Sequence, residues 1–203
     1  MNLETKIQLL PFEIELVSKP DLILTKNAVL QKLKHFLEEV QADQQSFLKK
    51  NDTHFPKEVL KISPKISRGE NYKGLPWLVL DNPRFFEQKN TFAIRTMFWW
   101  GNFFSVTLHV SGKYKITVQE KILSKIKKTD YRGFFLCTSN SEWEHHFEET
   151  NYKKIVDIPA NEVKKIIEEK SFLKIAAQIP IGPLPKTEKL IKKNYELLAV
   201  LYF

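Results

Sequence analysis

Apolar residues recur along the chain with two periods, and the switches between them mark out strands and helices. Phe12, Ile14 and Leu16 alternate with Glu13 and Glu15, which predicts a half-buried strand ended by Pro20-Asp21, with Leu22 to Leu24 pairing briefly after it. From Asn27 to about Leu48 the period becomes three to four. Val29, Leu33, Phe36, Leu37, Val40, Gln44, Phe47 and Leu48 share one face, which predicts a long amphipathic helix. Between Lys49 and Gly74 the periodicity is lost among polar residues and prolines, so a loop with one helical turn near Pro56 to Leu60 is expected.

Leu75 to Asp81 is nearly all apolar and suits a strand covered on both faces. Phe92 to Trp100 and Phe103 to Val110 are aromatic and β-branched runs around Gly101-Asn102, the strongest hairpin signal in the chain. Val118, Ile122 and Ile126 predict a lysine-rich helix stopping near Asp130, and Gly133 to Thr138 a short strand. Ser141 followed by Glu144 is a capping-box pattern, predicting a helix that carries Trp143 and Phe147. A helix after Pro159, a strand over Phe172 to Ile179 and a terminal helix bearing Leu190, Ile191, Leu197, Leu198 and Leu201 complete the pattern. This order predicts an α+β fold: a mostly antiparallel sheet built around a central β-hairpin (about 92–110), with several amphipathic helices packed on it. Residues 1–203 read as one globular domain, because the segment before the 49–74 loop is too small for a core of its own.

Composition narrows the setting. A 42% apolar content supports a sizeable core. Cys137 is the only cysteine, so no internal disulfide exists, which leans towards a reducing, cytoplasmic compartment. No apolar run approaches the ~20 residues of a membrane span, and no membrane partner is expected. The net charge of +8 invites a nucleic-acid reading through Lys113, Lys115, Lys121, Lys125, Lys127, Lys128 and the lysines of 186–193. That alternative is not favoured: four of the 32 basic residues are arginine, and lysines are interleaved with 24 acids as on a solvated helix face.

If Gly101-Asn102 forms a two-residue turn, Trp100 opposes Phe103. One face of the hairpin then carries Ala93, Arg95, Met97 and Trp99 beside Phe104, Val106, Leu108 and Val110, and is expected to meet the core. The other carries Ile94, Thr96, Phe98 and Trp100 beside Phe103, Ser105, Thr107 and His109, aromatic walls with a few placed polar groups, as ligand pockets are built. Candidate ligand-binding residues are therefore Arg95, Thr96, Trp100, Phe103, Ser105, Thr107 and His109, Arg95 because a buried guanidinium needs a carboxylate or an anion. A filled, two-sided hairpin is the competing structural account.

Glu142, His145 and Glu149 lie three and four apart in a segment expected to be helical, and with His109 they make a candidate divalent-metal set. Acidic residues in a first helical turn also simply favour the helix dipole. Cys137 precedes this segment without a nucleophile-elbow frame, and the chain has neither a His-Glu-x-x-His motif nor a phosphate-cradling glycine loop. No motif specifies a cofactor. The sequence favours a non-catalytic domain binding a small molecule or a protein partner through the hairpin, with a His-centred hydrolase and a nucleic-acid binder as alternatives.

Overall fold

The computed structural model describes residues 7–126 and 131–203. In chain order the elements are α1 (Pro11–Val17), α2 (Asp21–Lys50), α3 (Lys57–Leu60), β1 (Lys65–Tyr72), β2 (Leu75–Phe86), β3 (Thr91–Trp99), β4 (Phe103–Ser111), α4 (Gly112–Lys125), β5 (Phe135–Cys137), β6 (Tyr152–Lys154), α5 (Ala160–Glu169), β7 (Phe172–Pro180) and α6 (Leu184–Val200). The strands form one seven-stranded sheet in the order β1-β2-β3-β4-β7-β5-β6, and its pairs are antiparallel. The fold is α+β with the hairpin β3–β4 at its centre.

One face of the sheet is covered by helices. α2 and α6 lie across β2, β4 and β7, with α4 beside them. The residues of α2 that carry the apolar pattern meet Leu80, Ile94, Phe98, Phe104, Val106 and Leu108 in the largest core cluster. Thr96 points into this same face, where its hydroxyl accepts from the buried Gln44 amide at 3.0 Å. Among the described residues no helix is long and apolar enough to cross a membrane.

Before the hairpin, three segments depart from the sequence pattern. Residues 11–17 are helical although their period is two: Pro11 occupies the first turn and the Glu13 carboxylate accepts from the Leu10 N–H at 2.6 Å, closing a helical start where no neighbouring strand is available. Leu22 to Leu24, expected to pair, belong to α2. Residues 65–72, read as loop, form the edge strand β1, whose Lys65, Arg68 and Glu70 hid its strand character and suit an unpaired edge. The expected end of α4 near Asp130 lies outside the described residues.

The hairpin turn is one residue longer than expected. Trp99 opposes Phe103, leaving Trp100, Gly101 and Asn102 in the turn, with the Asn102 N–H donating to the Trp99 carbonyl at 3.1 Å and Gly101 at φ 72°. Trp100 is drawn out of the ladder: its N–H donates to the Pro76 carbonyl at 3.0 Å and its ring packs at the margin of the main core. A slip of one residue sends every side chain of one strand to the opposite face. Ser105, Thr107 and His109 therefore share a face with Arg95, Met97 and Trp99, whereas Thr96 and Phe98 face the helices. The expectation that Thr96 and Trp100 line a face with His109, and that Arg95 faces the core helices, is corrected by this register.

Candidate functional site

No helix of the described chain lies over the second face of the sheet. A strap of irregular chain, residues 138–151, crosses it instead. The sequence predicts a helix here, but the groups that a helix would pair internally are taken by side chains from elsewhere. The Tyr72 hydroxyl accepts from the backbone N–H groups of His145 (2.7 Å) and His146 (3.1 Å) and donates to the Glu144 carboxylate at 2.9 Å. The ammonium of Lys174 donates to the Glu144 carbonyl, and that of Lys170 to the Ser139 carbonyl at 2.8 Å. Asn151 closes the strap by donating its amide to the His146 carbonyl at 2.6 Å. Long-range partners thus outcompete the i to i+4 ladder.

Beneath the strap lie charged groups that the alternation of β2, β3, β4 and β7 brings to one surface. Asp81 opposes Arg95, Arg95 opposes Thr107, and His109 opposes Lys174. Arg95 grips Asp81 in a two-point ion pair, Nε to Oδ1 at 2.8 Å and Nη2 to Oδ2 at 3.1 Å, and its Nη1 donates to Nε2 of His145 at 3.1 Å. A guanidinium has five N–H donors; three are engaged in these bonds, which leaves two for another partner.

His109 meets the Glu142 carboxylate at 3.0 Å. Burial lowers the His109 pKa against the opposing pull of Glu142, so the imidazole is neutral and its Nε2–H is the donor. The same bond lowers the Glu142 pKa. His145 is held well below the ordinary histidine range, first by burial and then by the charges of Arg95 and Lys174. Because Arg95 donates to its Nε2, the neutral ring carries its proton on Nδ1. Lys174 is 1% exposed, and burial brings its pKa down to about 8. Burial raises Tyr72 to about 12 and pushes the Cys137 thiol up as well, which makes Cys137 a poor nucleophile.

A groove of about 370 Å³ opens beside this polar centre. Tyr72, Trp77, Met97 and Trp143 form its apolar walls; Asp81, Arg95 and His145 supply its polar end. Trp77 is aligned by a close approach: a side chain at Gly69 would place its Cβ 2.4 Å from the indole, so only glycine lets the ring lie against β1. Trp143 is half exposed at the rim, its ring in contact with those of His109 and Phe86.

Of the expected ligand-binding residues, Arg95 lines the groove. Ser105, Thr107 and His109 share its sheet face deeper under the strap, where Thr107 lies beside the buried Tyr152 hydroxyl. Phe103 packs against Trp99 and Phe147 and is 6% exposed. Of the candidate metal set, His109 and Glu142 meet, His145 turns to Arg95 and Glu149 is exposed. Among the described residues no group of three or more His, Cys, Asp or Glu side chains could hold a metal ion. Tyr72, Asp81 and Lys174 were missed in the sequence. A lysine alternating into the apolar strand Phe172–Pro180, and an aspartate closing an apolar run, were the available signals.

No family model, curated protein or solved structure matches this chain.

Proposed function

We propose that the chain is a small-molecule-binding domain whose site is the aromatic groove between β1–β3 and the strap. The supporting observation is the joining of aromatic walls to a polar end that retains spare donors: Trp77, Tyr72 and Trp143 around a 370 Å³ space, with two Arg95 N–H groups uncommitted. That size and character fit a ligand pocket. Asp81 neutralises Arg95, and His145 is uncharged, so the polar end has no net charge. The fitting ligand is therefore planar, aromatic or heteroaromatic, uncharged, and carries a carbonyl-type acceptor for Arg95.

The hydrolase reading has less support. His145 is the histidine that lines the groove, and the ring nitrogen that would accept a proton already faces the Arg95 cation. His109 is buried beneath Glu142 and Trp143, away from the groove lining. The nucleic-acid reading also loses several of its lysines: Lys113 pairs with Glu58, Lys115 is buried against the Glu168 carbonyl, and Lys125 meets the carbonyls of Val200 and Phe203. Lys127 and Lys128 lie outside the described residues.

Titration of a library of planar heteroaromatic amides, followed by quenching of tryptophan fluorescence, tests the proposal. Saturable quenching lost in Trp143→Ala and in Arg95→Met is the expected result. A wild-type chain that no member of the class quenches or stabilises would remove the reading.

A further inference from the structure

The largest apolar surface left unaccounted for is at the start of the described chain, outside the residues that line the aromatic groove. From Ile7 to Leu24 ten large apolar side chains, Phe12, Ile14, Leu16, Val17 and Leu24 among them, are each more than half exposed. Helix α1 buries none of its residues, and the first buried residue of α2 is Leu30. At on the order of 100 Å² per side chain, this arm displays on the order of 1,000 Å² of apolar surface. The largest patch on a monomer is typically about 300–600 Å², and one side of a stable interface takes roughly 800 Å². The apolar residues Phe12, Ile14, Leu16 and Val17 are spread around α1 on either side of Glu13 and Glu15, and none is covered by the rest of the chain.

The charge of the arm narrows its occupant. Residues 7–24 hold Glu13, Glu15 and Asp21 against Lys19, a net of −2 on a chain of +8, so the remainder carries +10. An acidic arm is repelled by anionic membrane surfaces, which recruit basic helices. It is attracted to the basic body of its own kind. At the opposite end of α2 lies a groove of about 320 Å³, with Leu48, Leu60, Ile62 and Pro64 on its apolar lining. Lys49 and Asp52 are the charged residues of its lining, and exposed Lys50, Lys57 and Lys61 stand beside it in the chain against Glu58, a net of +2 over residues 49–61. Some 25 residues of α2, about 35–40 Å at the helical rise, separate the arm from this groove, so in this structure the arm does not cover the groove of its own chain.

The geometry points to self-association of this chain through arm exchange, the acidic apolar α1 arm of one copy seated in the lysine-bordered groove at the far end of α2 of a second copy. Two such contacts related by a two-fold axis close a dimer and cover both unpartnered surfaces. The contact uses none of the residues that line the aromatic groove.

Sedimentation velocity of the full chain at tens of micromolar tests it, with circular dichroism as the folding control; the substituted side chains are exposed, so the fold is retained. Wild type should sediment as a dimer. Leu16→Glu on the arm and Ile62→Glu at the groove should each weaken the dimer at least tenfold. Mixing Leu16→Cys with Ile62→Cys chains should give an intermolecular disulfide between the two species. A monomeric wild type overturns the proposal. So does dissociation by Leu16→Glu alone with Ile62→Glu still dimeric, which would mean arm-to-arm packing. Wild type that stays monomeric and cosediments with zwitterionic phosphatidylcholine vesicles would assign the arm to a lipid surface instead.

Discussion

The two faces of the sheet are held by different physics. The helix-covered face is a continuous apolar layer from Leu37 to Leu198, and two of its buried polar side chains, Thr96 and Gln44, are joined by a single hydrogen bond. The strap-covered face has two small apolar clusters, around Met97 and Trp99 and around Cys137 and Tyr152, interrupted by Asp81, Arg95, His109 and Lys174. The first face is stabilised by non-directional burial and closes without regard to pH. The second depends on directional bonds to charged or titratable groups and covers the sheet with a segment that has almost no ladder of its own. A protein with both has a rigid scaffold on one side and a low-stability, chemically addressable cover on the other. The ligand groove proposed here sits at the edge of that cover.

Truncation should separate the faces most sharply. Leu108→Ala removes a fully buried side chain from the helix-facing cluster and should cost about 4 kcal/mol. Trp143→Ala, at a half-exposed rim position, should cost less than about 1 kcal/mol while removing ligand quenching. Chemical denaturation of both variants is the measurement, and equal losses would erase the contrast between the faces.

Next in size is the ion pair. Arg95→Met leaves the Asp81 carboxylate, 6% exposed, without its counter-charge, and should cost about 3 kcal/mol. The double variant Arg95→Met with Asp81→Leu should recover most of that loss, because an apolar pair of similar volume replaces two desolvated charges. Failure of the double variant to recover would mean that Arg95 holds the face through His145 and not through Asp81.

Lys174→Met should act in the opposite direction. The side chain titrates at about 8 in the fold and at 10.5 when free, a disfavouring of the buried cation by roughly 3 kcal/mol. The lost bond to the Glu144 carbonyl offsets about 1 kcal/mol of this. The variant should therefore be more stable than wild type by about 2 kcal/mol at neutral pH. The unfolded chain binds the extra proton between pH 8 and 10.5, so wild-type stability rises through that window and the advantage of the variant shrinks. A difference between the two proteins that does not change with pH would place the ammonium in water.

How much of this contrast the chain discloses in advance follows the same division. The helix-facing layer was legible because burial writes a period: Leu33, Phe36, Leu37 and Val40 announce α2, and the runs on either side of Gly101 announce β3 and β4. The strap face was not, because it is assembled by partners distant in sequence. Ser141 to Glu144 carries a genuine capping pattern, yet Tyr72 and Lys174, more than 25 residues away on either side, take the groups that a helix would use. The candidate site failed by a single residue at the turn. Trp100 preferred the Pro76 carbonyl and a packed margin to a place in the ladder, and that choice moved Arg95 to the side of His109, a tertiary effect no local pattern encodes.

The smallest effect tests whether the strap is a separate unit at all. His109 and His145 both titrate below 6.5 because burial disfavours their charged forms, with Arg95 and Lys174 adding to the effect. In the unfolded or opened chain they take up protons near pH 6.5, so the stabilisation of the closed strap is complete above that pH and is lost as pH falls below it. Each proton taken up contributes at most about 1.4 kcal/mol per pH unit. Amide hydrogen exchange corrected for its intrinsic pH dependence reads this directly. The His145 and His146 amides, bonded to the Tyr72 hydroxyl, should lose protection between pH 7 and 5.5 while α2 amides keep theirs, and His145→Gln should roughly halve the loss. If α2 amides open in step with the strap, the two faces melt as one cooperative body, and the polar cover is part of the scaffold instead of a gate over the groove.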